Sequence, residues 1–228
     1  MKKIIIPFFC AVLFSVPAAA QKKDAASVTT EAVKSKLTAK EVLDNYFKAL
    51  GGKEKLEGVK TLYMENTMSA QGMEISMTTK KMGNKFKSVQ SLMGQQMVQF
   101  FDGEKGYFDQ MGNKTAIPAD KVAELKKARP VDALAFDGAT FQDVTVEKLD
   151  GKDYNVLSSD KGKFYFDVTT GLLYKTIAGE GNVTIKSYMT VDGLQFPADV
   201  EAEGAGQKVN IKTTKVTVNS GVTDADFK

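Results

Sequence analysis

The stretch from Gly162 to Thr176, GKFYFDVTTGLLYKT, shows the pattern that most limits what this chain can become. Side chains alternate as far as Asp167, a Thr-Thr-Gly turn follows, and an apolar run resumes at Leu172, which reads as two strands folded back on each other. The same pattern fills most of the sequence. TLYMENTM, MEISMTTK, KFKSVQSL, QMVQFF and KGYFDQ are short period-two segments separated by QG, GN, MG and DG. Farther on come FQDVTVEKL, KDYNVLSS, KFYFDV, LLYKTIA, NVTIKSYM, LQFPADVEAE and QKVNIKTTKVTVN, divided by DG, DKG, TTG, GEG, DG and GAG. Links this short join antiparallel neighbours, not βαβ units. About a dozen strands are expected, and a sheet of that size twists and curls.

Two helices interrupt the pattern. TAKE at Thr38 to Glu41 is a capping box, Val42, Leu43, Tyr46, Phe47 and Leu50 share one helical face, and Gly51-Gly52 supplies the stop. The second is IPADKVAELKKARP, with Pro118 at a first helical position, Val122 and Leu125 on one face, and an end before Pro130. Its other face carries Lys121, Lys126, Lys127 and Arg129 and reads as a solvated face. VDALAF then adds apolar material in a loop or short helix. The expected object is α+β but mainly β: a large curved antiparallel sheet, half-open, with an N-terminal helix and a lid helix on its concave face.

The first twenty residues read differently. MKK, the apolar IIIPFFCAVLFSV and PAAAQ have the order of a secretory signal peptide cut after Ala20. Residues 21 to 36 are polar and read as a flexible leader, which leaves 37 to 228 as one domain. Cys10, the only cysteine, follows Phe8 and Phe9 and does not look like an acylation site. The exported form is expected in the periplasm without a lipid anchor and without a disulfide.

Composition excludes several classes of chemistry. There is no histidine, so His-based zinc sites, Ser-His-Asp or Cys-His nucleophiles and imidazole acid–base work are ruled out. Thirty-one basic and 28 acidic side chains, two of the lysines within the signal, leave the exported chain near neutral, unlike a nucleic-acid binder. No metal or cofactor is expected, and the function is read as non-enzymatic.

AKEVLDNYFKALGGKEKLEGVKTLYMENTM, FFDGEKGYF with IPADKVAELK, YFDVTTGLLYK and NSGVTDADFK together resemble the LolA/LolB-like, lipoprotein-carrier-like domains of bacterial envelopes, over residues 38 to 228. The resemblance implies a half-barrel whose concave face binds acyl chains or other apolar ligands, so that no reacting group is needed. It implies lipid or lipoprotein acyl chains as partners, peripheral contact with a membrane, and a monomer. An alternative it leaves open is an accessory module of an envelope protein, such as a partner of an insulinase-type protease. In the carrier an early-strand Arg bonds to the lid; here the only Arg is Arg129, at the end of the lid helix.

Methionine is the unusual residue of the first strands. Met64 and Met68, Met73 and Met77, and Met93 and Met97 are each four apart, which on a strand places both members on one face. Their flexible, polarizable side chains suit either an adaptable apolar surface or an ordinary core. With Tyr63, Phe100, Tyr107, Val122, Leu125, Phe164 and Phe166 they form the candidate cavity wall, and Phe86, Phe136, Leu172 and Leu194 are further candidates for wall or core. Alternation alone does not say which face points inward. Asp224 and Asp226 read as a solvated end.

Overall fold

The computed structural model describes residues 32 to 228. The segment read as a signal peptide, including Cys10, and residues 21 to 31 of the leader lie outside the described residues. The chain opens with β1 (Val33–Lys34), α1 (Ala39–Ala49) and α2 (Lys53–Glu57). A first meander follows: β2 (Thr61–Ala70), β3 (Met73–Met82), β4 (Lys85–Leu92), β5 (Gln95–Phe101), β6 (Gly106–Gln110) and β7 (Asn113–Ala116). After α3 (Ala119–Leu125) and two 3-10 turns comes the second meander: β8 (Asp143–Leu149), β9 (Lys152–Ser159), β10 (Gly162–Asp167), β11 (Leu173–Ala178), β12 (Gly181–Val191), β13 (Leu194–Gly204) and β14 (Gln207–Val218).

The fourteen strands of the described residues form one antiparallel sheet in the order β1, β8 through β14, then β2 through β7. The meanders join where β14 pairs with β2, Val216 opposite Met64 and Ile211 opposite Met68. The sheet does not close, since β1 and β7 stand at its two edges. β1 lies inside the segment read as a flexible leader: Val33 pairs with Val146, and the Ser35 hydroxyl bonds Asn155 at 3.0 Å.

α1 forms where the sequence placed it. Thr38 accepts from the Glu41 amide while the Glu41 carboxylate accepts from the Thr38 amide. Gly51, at φ +115, ends the helix so close to β13 that a Cβ there would lie 2.3 Å from the Gly193 carbonyl, so only glycine fits. KEKLE, directly after this stop, forms the short helix α2, anchored by the buried Leu56.

α1 lies across the inner face of the second meander. Its Val42, Leu43, Tyr46, Phe47 and Leu50 pack with Leu157, Phe164, Phe166, Leu173, Leu194 and Phe196 in the main core. Phe136 of the VDALAF segment meets Tyr46, Phe164 and Phe166 edge to face, with ring centroids 5.4 to 6.0 Å apart. Burial pushes the Tyr46 and Tyr188 hydroxyls well above the usual tyrosine range beneath this layer. α3 contributes no buried residue, and its N-cap, rather than its first helical position, is Pro118. The covering that the sequence assigned to α3 thus comes largely from the Val131–Phe136 loop that follows it, because that loop carries the apolar side chains.

Candidate ligand-binding face

Main-chain register decides which side chains share the inner face. Residues directly opposite one another on paired strands point the same way. From Met64, beneath α1, one row runs through Thr79, Ser88, Gln99, Phe108 and Thr115. The next runs through Asn66, Met77, Gln90, Met97, Gln110 and Asn113. Leu62, Lys81, Phe86 and Phe101 flank them on one side, and Met68 with Ile75 on the other.

The main core beneath α1 reaches the first meander at Leu62 and Met64 of β2 and, among the described residues, includes none of β3 to β7. Met68, Ile75, Met77 and Val209 form a separate apolar cluster, with Ala70, Leu92 and Ile211 against it. Beyond them, Phe108, Gln110, Met111, Asn113 and Thr115 line a half-open recess of about 390 Å³ beside the β7 edge. The inner face of the first meander is therefore a second compartment, apart from the core under α1.

The candidate wall residues divide accordingly. Met64, Met68, Met73, Met77 and Met97 do come together on the inner face. Phe164 and Phe166 also face inward, but they are packed into the core under α1 and Phe136. Tyr63, Phe100 and Tyr107 must be moved off the wall. They lie on the outer face, where Phe100 and Tyr107 stack at 5.1 Å and pack with Val222 and Phe227 of the C-terminal segment. Their parity in the strand is opposite to that of Met64, Phe101 and Phe108. Met93 must be moved too: it occupies the β4–β5 turn at φ +49 and is 88 % exposed, because the Met93-Gly94 turn falls between the strands. Val122 and Leu125 are half-buried in α3 and belong to none of the buried clusters.

The C-terminus is likewise not a merely solvated end. Lys80 on the outer face pairs with Asp226, and Lys85 with Asp224 at 2.7 Å, so the tail is clasped against the sheet. The basic residues of α3 are partly spoken for, Lys126 by Glu104 and Lys121 by Glu124.

The sequence reading missed the polar residues of the inner face. Asn66, Thr79, Ser88, Gln90 and Gln99 are all buried, at parities otherwise held by Met, Phe and Leu. That exchange was visible in KFKSVQSL and QMVQFF once the inward parity was known. Thr79 and Ser88 hydroxyls lie 3.2 Å apart, and the Thr213 hydroxyl donates to Asn66 Oδ1 at 2.9 Å. The one cation facing inward among these rows, Lys81, bonds Asp132 at 2.6 Å, tying β3 to the loop after α3. A cation thus links an early strand to the covering segment, although Arg129 takes no part. The surface can bury hydrocarbon and exchange neutral hydrogen bonds.

No family model and no curated protein matches this chain in sequence. Solved structures do match in shape. A putative outer membrane lipoprotein-sorting protein domain from Vibrio parahaemolyticus superposes with a TM-score of 0.56 at 12% identity, covering 83% of this chain and 97% of its own. A DUF1329 family protein from Desulfovibrio piger gives 0.53 at 13% identity over 83% and 97%. A LolA superfamily protein from Nitrosomonas europaea gives 0.51 at 12% identity over 84% and 98%. At such identities it is the path of the backbone that is shared, and the chain has the LolA-like fold, an unclosed antiparallel half-barrel with its first helix on the inner face.

Proposed function

We propose that this protein is an exported, periplasmic, non-enzymatic carrier or sensor that sequesters an apolar or lipidic ligand, an acyl chain in particular, against the inner face of β2 to β6. The observation that carries the reading is the separation of the two compartments. α1 and Phe136 fill the inner face of the second meander, whereas the rows led by Met64, Met68, Met77 and Met97 run out to the recess at Phe108. Burying hydrocarbon there stabilises a complex by about 0.8 kcal/mol per methylene, so a handful of methylenes supplies useful affinity. The likeness to a lipoprotein-sorting domain supports the same reading. The signal-like first twenty residues and the absence of histidine support export and a role without bond chemistry.

The test is native mass spectrometry of the protein purified from a bacterial periplasm without detergent, with identification of whatever leaves on unfolding. A discrete added mass of a fatty acid, phospholipid or lipopeptide is expected. A clean unliganded mass that persists after incubation with long-chain lipids would instead favour an accessory module docking to another envelope protein.

A further inference from the structure

Gln99 is 3 % exposed, and its carboxamide oxygen has no hydrogen-bond partner. Native interiors rarely leave such an atom unpaired, so the exception calls for an explanation. Its place on the sheet supplies one. Gln99 faces inward from β5, directly opposite Ser88 on β4 and Phe108 on β6, and Phe108 lines the recess beside the β7 edge. Adjacent strands are about 4.8 Å apart, so the orphan acceptor sits one strand in from the recess wall.

The neighbourhood is polar without being ionic. Thr79 and Ser88 continue the row inward from Gln99, and Gln90 and Gln110 lie in the neighbouring row. Among the described residues of this inner face the one charge is Lys81, in the flanking row, and Asp132 already holds it. Such a row offers little to an anionic headgroup and much to a neutral group that donates a hydrogen bond.

We propose that Gln99 is a specificity-determining residue that selects acyl chains carrying a neutral donor next to the hydrocarbon, an amide N–H above all, over esters and free carboxylates of the same length. This rests on the carrier reading above. The chain would lie along the methionine rows, and the amide N–H would donate to the Gln99 carboxamide, completing a hydrogen bond that the protein alone leaves open. A ligand without a donor leaves that buried acceptor unpaired, a difference of about tenfold in affinity.

The experiment measures displacement of a neutral fluorescent probe, 1-aminoanthracene, by N-methyldodecanamide, methyl dodecanoate and dodecanoate below their aggregation limits. The wild type is expected to bind the amide about tenfold more tightly than the ester, and the ester no more weakly than the carboxylate. Gln99→Leu and the nearly isosteric Gln99→Met should bring amide and ester within twofold without weakening the ester, while Gln96→Leu, at an exposed position of the same strand, keeps the preference. Equal affinities in the wild type, or a preference that survives both Gln99 variants with unchanged thermal midpoints, overturns the assignment and leaves the carrier reading intact. Failure of all three chains to displace the probe overturns both.

Discussion

At the scale of single residues, parity matters more than residue type. Met93 and Met97 are identical in chemistry and four apart, yet one caps a turn and the other faces the inner compartment. On the proposed carrier reading, Met97→Asp should therefore abolish acyl-chain binding, because a carboxylate there must be desolvated, whereas Met93→Asp should leave the dissociation constant within about twofold. Equal loss in a titration of both variants would contradict the assignment of the inner face. Lys81 and Asp132 give a second asymmetric pair. Lys81 is nearly buried and Asp132 is half exposed, so Asp132→Asn strands a buried cation and should cost about 1–2 kcal/mol in urea unfolding. Lys81→Met removes the cation itself and replaces it with a side chain suited to its neighbours Leu62 and Phe86, so it should be nearly neutral.

At the scale of elements, the C-terminal segment is the part whose role changed most between sequence and structure. Val222 and Phe227 pack on Phe100, and Thr223 and Asp226 form a capping box that closes the last 3-10 turn. Lys80, together with hydrogen bonds from Thr223, holds the Asp226 carboxyl below its ordinary value of 3.8. A carboxyl lowered in the folded state stabilises it fully above that ordinary value, and the contribution is lost as pH falls below it towards the folded value. The hold of the tail on the outer face should accordingly weaken as pH falls below that ordinary value. Protection factors at residues 222 to 228, corrected for the intrinsic exchange rate at each pH, should fall on going from pH 6 to pH 3, and Asp226→Asn should show the lower protection already at pH 6. Unchanged exchange in the variant would mean that Phe227 alone holds the tail.

At the scale of the whole molecule, one continuous sheet carries two inner faces that are packed differently. The second meander spends its inner face on α1 and Phe136, while the first keeps its inner face for the methionine and glutamine rows. On the proposed carrier reading, an added acyl ligand should raise hydrogen-exchange protection in β3 to β6 and leave β9 to β13 unchanged, since the latter are packed under α1. Protection spreading equally through both halves would show that the compartments act as one. The open edges follow the same economy: β1 is two residues long, and β7 presents Asn113, Lys114 and Thr115 to solvent, which discourages edge-to-edge pairing.

What the sequence by itself determined was everything set by near neighbours in the chain. The capping box at Thr38, the glycine stop at Gly51-Gly52, the turn at Asp167 to Gly171 and nearly all strand segments depend on spacing and turn chemistry, which a local window contains. The half-barrel followed from many short antiparallel links and the family resemblance. Only the tertiary structure decided which face of each strand turns inward. A period-two pattern is unchanged when every side chain is exchanged to the other face, so Tyr63, Phe100 and Tyr107 could be told from Met64, Phe101 and Phe108 only by what packs on each side. The polar rows escaped notice for the same reason. Ser88, Gln90 and Gln99 are unremarkable on a solvated face, and stand out only because the folded sheet buries them.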